Sequence, residues 1–408
     1  MIDIRNYIVV TAAYWGFTLT DGALRMLVLL HFHTLGYSPF KLAILFLLYE
    51  AMGILTNIVG GWIGSRFGLK ITLIAGLALQ VASLLLLSLL NPLWPAICSL
   101  IFVLFAQGLS GIAKDLSKVS SKSAIKLLVP KDSHSALFRL VALLTGSKNA
   151  LKGAGFFLGG ALLGFFGFSY SLWIMAGGLS FVIVLSGWLL PGSMGKTKTK
   201  LIKVFSKSKP INILSAARIF LFGARDVWFV VAVPVFLLSE LGWSFTEVGS
   251  FLALWVIGYG IVQSIAPNMI KNSKDGCSSE VKYARIWMVV LCFVTFLIAI
   301  AIQLEFFITG SLIIGLIAFG FCFAINSALH SYLILSFSNS DDVMLSVGFY
   351  YSANAAGRLL GTLLSGLTYE IAGLIGALAI TLAMLVIATF FTMLLGSFSN
   401  TKNVEVSG

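Results

Sequence analysis

The stretch PGSMGKTKTKLIKVFSKSKP, residues 191–210, carries six lysines and no acidic residue close to the middle of a 408-residue chain. On either side the sequence reads as runs of apolar residues separated by polar connections, about six runs per side, the first near 6–30 and the last near 373–395. A helix rising about 1.5 Å per residue needs about 20 apolar residues to cross a hydrocarbon core about 30 Å thick. The chain is 59% hydrophobic and 10% charged, with a mean hydropathy of +1.01. A soluble protein of this length needs a far more polar surface. The expected fold is therefore an all-α membrane protein of twelve transmembrane helices in two six-helix halves: residues 1–190 and 211–396, with a cytoplasmic linker at 191–210 and a cytoplasmic tail at 397–408.

The net charge of +12 is unevenly placed. Lysines and arginines crowd alternate loops: Lys118, Lys122, Lys126, Lys131 and Arg139; the linker; and Lys271, Lys274, Lys282 and Arg285. The intervening loops carry Glu240, Glu247, Glu305 and Glu370, with Lys41 as the basic exception. This asymmetry predicts that the basic loops and both termini are cytoplasmic, and it accounts for the positive charge without a nucleic-acid partner. The four-residue lysine spacing in the 115–145 connection predicts a short surface helix with Lys118, Lys122 and Lys126 on one face. The first apolar run has no basic leader before it and no small-residue cleavage site after it, so it reads as a retained span. Cys98, Cys292 and Cys322 fall in apolar runs and Cys277 in a cytoplasmic loop, without ligand spacing. No metal, cofactor or disulfide is expected.

Weak similarity links the halves. Leu35-Gly36-Tyr37-Ser38 follows the first span and Leu241-Gly242-Trp243-Ser244 the seventh, each preceded by an acidic residue beside an arginine: Asp21 with Arg25, and Asp226 with Arg225. Repeated halves around a central site are the plan of many secondary transporters. No phosphate-binding loop or nucleotide-binding domain is legible, so transport is expected to run on a gradient. No turn motif assembles a catalytic nucleophile, and an enzyme is not expected.

Between the second and third spans the chain reads Gly61-Trp62-Ile63-Gly64-Ser65-Arg66-Phe67-Gly68-Leu69-Lys70. This resembles the signature turn of the major facilitator superfamily, which helps lock the cytoplasmic side; Gly61, Arg66, Gly68 and Lys70 are its matching positions. Ser65 stands where the family usually has Asp, and Leu69 replaces a basic residue. Small residues permit a tight turn, while Arg66 and Lys70 can grip helix ends or carboxylates.

Charges inside apolar runs are costly, and they mark ion or substrate paths. Arg25, Lys114, Lys148, Lys152, Arg218, Arg225 and Arg358 stand against Asp21, Glu50, Asp115 and Asp226, seven against four. Such a surplus draws polyanions, and the forked guanidinium suits phosphate or carboxylate. Asp21 and Arg25 are four apart and share a helix face, which allows an intrahelical pair; the alternative is a pair that substrate or proton breaks. Arg225 and Asp226 are adjacent, and their side chains are expected to diverge to separate partners. Glu50 is the first candidate for carrying a proton, with a permanent arginine pairing as its alternative. Asn354, four residues before Arg358, and His330 are further candidate substrate contacts. His31 and His33 flank Phe32 in an interfacial stacking role. Gly153, Gly155, Gly159, Gly160 and Gly164, and Gly357 with Gly361, predict close helix contacts.

The segments TDGALRMLVLLHFHTLGYSP at 20–39 and GIAKDLSKVSSKSAIK at 111–126 resemble the ArsJ branch of major facilitator permeases. That resemblance implies efflux of 1-arseno-3-phosphoglycerate, made from arsenate and a triose phosphate by a partner glyceraldehyde-3-phosphate dehydrogenase, with no direct binding implied. On this reading Arg25, Arg225 and Arg358 hold the anionic groups, with Arg218, Lys114 and Lys152 behind them. Asp21, Glu50, Asp115 and Asp226 organise the cations or carry protons, antiport being a superfamily expectation. A monomer in a cell membrane is expected, the inner membrane if the cell is a Gram-negative bacterium. The rival is a facilitator for another organic phosphate, a sugar or a drug.

Overall fold

A computed structural model describes residues 4–37, 44–91, 93–130, 133–191, 208–243, 245–271, 273, 275–339 and 342–395. The tail at 397–408 and most of the linker, 192–207, lie outside the described residues, as do Lys41, Lys131 and Lys274. The described residues are helical, without strands. The helices are α1 (Ile4–Thr34), α2 (Leu47–Phe67), α3 (Leu69–Ser88), α4 (Ala96–Leu128), α5 (134–166), α6 (168–189), α7 (Lys209–Val227, continued to Ser239), α8 (Phe245–Ile265), α9 (Ser278–Gln303), α10 (Ile308–Phe337), α11 (343–371) and α12 (374–394). α5 and α6 are divided only at Gly167, whose φ is +71°, and α11 and α12 only at Ala372 and Gly373, whose φ values are −143° and +59°. The left-handed values are cheap only for glycine.

Among the described residues the twelve helical segments match the expected number, and eight helical stretches, two of them the α5–α6 and α11–α12 pairs taken together, are long and apolar enough to cross a bilayer. Their surfaces are apolar where a soluble protein would be polar: Trp188 is 88% exposed and Ile371 75%. α11 shows the rule in one helix. Leu363, Leu367 and Ile371 form an exposed stripe at four-residue spacing, while Gly357, Gly361 and the buried Ser365 line the opposite, packed face.

Two corrections concern the ends of the spans. Residues 115–128 are not a surface connection: α4 continues unbroken to Leu128 and α5 starts at His134. The leucines, lysines and alanine there favour helix and no Gly or Pro interrupts the run, and Lys122 is only 3% exposed, so its side chain is buried rather than solvated. The glycine-rich segment is likewise helical as far as Phe67; only Gly68, at φ +95°, forms the turn into α3. Lys70 donates to the Leu190 carbonyl oxygen at the end of α6, 2.6 Å away, and Arg66 lies over the Trp62 ring at 5.4 Å. Lys70→Met is expected to cost about 1.5–3 kcal/mol, the range for a hydrogen bond with a charged partner, as measured by thermal unfolding.

Packing divides the described residues into two compact units. The first takes residues 4–130, 147–191 and 342–352; the second takes 133–146, 208–339 and 353–395. Each has its own apolar core. Leu24, Leu27, Phe32, Leu84 and Leu172 are among the first's, and Trp228, Trp255, Phe319, Phe323 and Leu378 among the second's.

In the second unit, the connection before α9 is tied by Asp275, whose carboxylate accepts from the Cys277 and Ser278 amides at 3.1 and 3.0 Å and from the Ser278 hydroxyl. Partial desolvation raises its pKa, but hydrogen bonding from the Ser273 hydroxyl together with these bonds outweighs that and holds the carboxyl well below the ordinary range. Cys277, read as a loop residue, is buried with its Sγ 3.2 Å from Ser336 Oγ; Cys98, read as packing, is exposed.

Candidate functional site

In the first unit, glycines let α1 meet α5 and α2 meet α4 at backbone contact. A Cβ on Gly155 would lie 2.7 Å from the Leu19 carbonyl oxygen, and one on Gly159 would overlap the Ala23 carbonyl oxygen. Gly111 bears on the Tyr49 carbonyl oxygen in the same way. These close approaches bring the charges of four helices together.

Asp21 accepts from the Tyr49 hydroxyl at 2.5 Å and faces the Lys152 ammonium at 3.8 Å. Arg25 reaches Glu50 at 2.8 Å, and Lys114 approaches the other Glu50 oxygen at 3.4 Å. The Tyr49 ring is met by Arg25 at 4.7 Å and by Lys114 at 3.9 Å. Asp115, fully buried, takes Lys118 and lies 3.9 Å from Lys114. The intrahelical option for Asp21 and Arg25 therefore gives way to contacts with other helices: Asp21 is held by α2 and α5, and Arg25 by α2. The reason is reach, because the tight α1–α5 and α2–α4 contacts offer each group a partner across the interface.

In the second unit, α7 and α11 touch through Gly357, whose Cβ would overlap the Ile219 carbonyl oxygen, and through Gly361 on the Gly223 carbonyl oxygen. Arg225 curls back onto its neighbour, with its guanidinium 2.5 and 2.7 Å from Asp226 Oδ1. This corrects the expectation that the two side chains diverge: the guanidinium stem is long enough to bend back around the helix. Asp226 Oδ2 holds Arg358 at 3.1 Å, so one buried carboxylate ties two arginines. Arg218 donates to Asn354 Oδ1 at 2.9 Å, with Ser327 Oγ at 3.5 Å; Gln263 donates to the same Ser327 at 3.0 Å. The Phe222 ring lies 3.5 Å from the Arg218 guanidinium carbon and 5.0 Å from that of Arg225. His330 is fully buried on α10, and neither ring nitrogen has a hydrogen-bond partner.

Just past Asp226 the helix widens into a π-turn at Trp228–Ala232, followed by Pro234. The Ala232 amide takes Ser365 Oγ as its acceptor at 3.3 Å. Such a local widening is frequent at functional sites, because it re-aims the residues before it.

The predicted charges thus fall into two groups. Asp21, Arg25, Glu50, Lys114, Asp115 and Lys152 belong to the first unit; Arg218, Arg225, Asp226, Arg358, Asn354 and His330 belong to the second. Sequence reasoning missed Tyr49, Lys118, Lys122, Gln263, Ser327 and Phe222. The signal for the two lysines was present in their four-residue spacing from Lys114. His31 stacks on Phe168 at 4.1 Å, beside a cavity of about 570 Å³ lined also by Tyr37 and Trp94.

A family model described as Major Facilitator Superfamily matches residues 7–272 and 214–406. No curated protein matches the sequence. Among solved structures, the fold is similar to three transporters. The human organic anion transporter MFSD10 (TETRAN) is 15% identical at a TM-score of 0.72, with 96% of this chain and 100% of that one covered. The proton:xylose symporter XylE, bound to 6-bromo-6-deoxy-D-glucose, is 14% identical at a TM-score of 0.76, with 96% and 95% covered. A bacterial homologue of the iron transporter ferroportin, in an outward-facing state, is 14% identical at 0.75, with 95% and 99% covered.

Proposed function

The chain belongs to the major facilitator superfamily, a multi-pass membrane transporter, and from that premise we propose that it exports the organoarsenical polyanion 1-arseno-3-phosphoglycerate from the cytoplasm. The observation that carries the anionic half of this reading is that cations outnumber carboxylates within each unit. Arg25, Lys114, Lys118 and Lys152 stand with Asp21, Glu50 and Asp115 in the first, and Arg218, Arg225 and Arg358 with Asp226 in the second. A surplus held at this depth is stabilised by an anionic ligand, and guanidinium forks suit phosphate and arsenate oxygens. A neutral sugar has no use for it. The arsenical half rests on the likeness of segments 20–39 and 111–126 to ArsJ permeases.

Arg225 and Arg358, kept in place by Asp226, are the leading anion contacts, with Arg25 as their counterpart in the first unit. Arg218, oriented by Asn354, and Lys114 and Lys152 support them, and His330 offers a buried donor and acceptor. Protons exchange for substrate, both termini face the cytoplasm, and the protein works as a monomer. A separate glyceraldehyde-3-phosphate dehydrogenase supplies the substrate. Arsenate tolerance in cells without other arsenical exporters tests this: it is expected only when chain and dehydrogenase are expressed together. Tolerance that ignores the dehydrogenase contradicts it.

Glu50→Gln is expected to weaken the pH dependence of transport, since it removes a charge shared by Arg25 and Lys114. An unchanged pH profile of uptake removes Glu50 from the proton path.

A further inference from the structure

Three connections meet at one end of the first unit: the one after α1, the one between α3 and α4, and the break between α5 and α6 at Gly167. Each follows an odd-numbered helix, so all three share the end opposite the Gly68 turn. They enclose the cavity of about 570 Å³. Its wall is mostly rings. His31 lies flat on Phe168 at 4.1 Å, and Phe32 stands at a steep angle to Tyr37 at 5.0 Å and to Phe168 at 6.5 Å. Phe32 is fully buried and belongs to the floor, while Trp94 and Tyr170 are exposed at the rim. The Tyr37 hydroxyl donates to the Ala96 carbonyl oxygen at 3.4 Å, which ties the first connection to the start of α4. The Leu93 amide donates to Asn91 Oδ1 at 2.9 Å and the Trp94 amide to the Asn91 carbonyl oxygen at 3.1 Å, which closes the second into a turn. Rings and loops that hold one another in this way shape the hollow before anything enters it.

The lining chemistry narrows the occupant. No Asp, Glu, Lys or Arg is among the described lining residues, and the only aliphatic side chains larger than alanine's are Leu35 and Leu90. An organic phosphate would lose hydration here and meet no cation, unlike at the charges of the candidate site. An acyl chain would meet rings in place of a long aliphatic groove. A cation is attracted to ring faces, and the facing sides of His31 and Phe168 are taken up by each other. An uncharged flat molecule suits ring edges and offset faces, with Asn91, Ser99 and Ser169 as hydrogen-bond partners for a heteroatom. The volume lies within the range of small-molecule sites, about 300–1,000 Å³.

We propose that this cavity binds an uncharged, flat, polycyclic aromatic molecule bearing a hydrogen-bonding heteroatom. It shares no lining residue with the charged cluster of the same unit, and the inference does not depend on what the protein exports.

Alkylation of a thiol on the lining tests this in full-length protein in phosphatidylcholine nanodiscs. Ala96→Cys, in a Cys98→Ser background, supplies that thiol; native Cys98, exposed and outside the lining, reports what merely partitions into lipid. Acridine, uncharged in mildly alkaline buffer, is expected to slow N-ethylmaleimide labelling at position 96 about threefold or more and to leave Cys98 unchanged, because an occupied cavity shields its own lining. N-methylacridinium and 9-anthracenecarboxylate, similar in shape, are expected to protect far less, and equal protection by either overturns the uncharged class. Adding Ser99→Phe, which fills the floor, is expected to abolish protection without lowering the unfolding temperature. Should that variant unfold, Phe168→Leu, which removes one side of the ring stack, is expected to weaken protection in its place. Protection that survives the substitution, equal slowing at Cys98, or no slowing at position 96 overturns the site. Loss of protection on adding 3-phosphoglycerate overturns its separateness from the anion path.

Discussion

Asp226→Asn is expected to abolish transport and to destabilise the protein by about 3 kcal/mol, the lower part of the range for breaking a buried pair. Asp226 is 1% exposed and is the shared partner of Arg225 and Arg358. The amide keeps the shape but cannot offset two guanidinium charges, and it presents donors where the arginines need acceptors. The lower end applies because the two arginines keep 17% and 25% of their side-chain surface exposed. Asp226→Glu, which retains the charge, is expected to recover most of the stability. Thermal unfolding together with vesicle transport checks this, and an Asp226→Asn protein that is stable and active removes the carboxylate from the centre of the site.

Gly357→Val is expected to reduce the folded yield in membranes by about tenfold or more, because close helix contact in a bilayer depends on small residues. A Cβ there would overlap the Ile219 carbonyl oxygen and sit 2.8 Å from its carbon. Those are backbone atoms, so no rotamer change relieves the clash; α7 and α11 must separate, and Arg358 moves away from Asp226 with them. Gly366 lies on the same helix with nothing within 4 Å of an added Cβ. Gly366→Ala is therefore expected to be tolerated, even slightly stabilising by about 0.5–1 kcal/mol. Fluorescence-detected size exclusion of the two variants separates these outcomes, and equal yields contradict the contact.

The helices were legible in the sequence because a bilayer imposes a length and a composition on each one. The glycines that bring α1 to α5 and α7 to α11 were legible too, through their four-residue steps. Partnerships were less so. Asp21 and Arg25 share a face, yet both find partners on other helices, since periodicity fixes a direction and not what lies across the interface. Arg225 and Asp226 diverge by helix geometry, but a long flexible stem overrides that direction. The lysines of α4 were read as solvated because charge usually marks a loop. Nothing local to the segment revealed that an aromatic ring from residue 351 lies beneath them. Tyr49 carried no signal of its own, being one aromatic among many in an apolar run.

The most direct test of the central claim is arsenic uptake into everted membrane vesicles supplied with arsenate, glyceraldehyde 3-phosphate, NAD and glyceraldehyde-3-phosphate dehydrogenase. Vesicles bearing the protein are expected to accumulate far more arsenic with the complete mixture than from arsenate alone, while phosphoglycerate and a neutral sugar accumulate poorly. Equal arsenic uptake with and without the dehydrogenase, or none by folded protein, contradicts export of an organoarsenical.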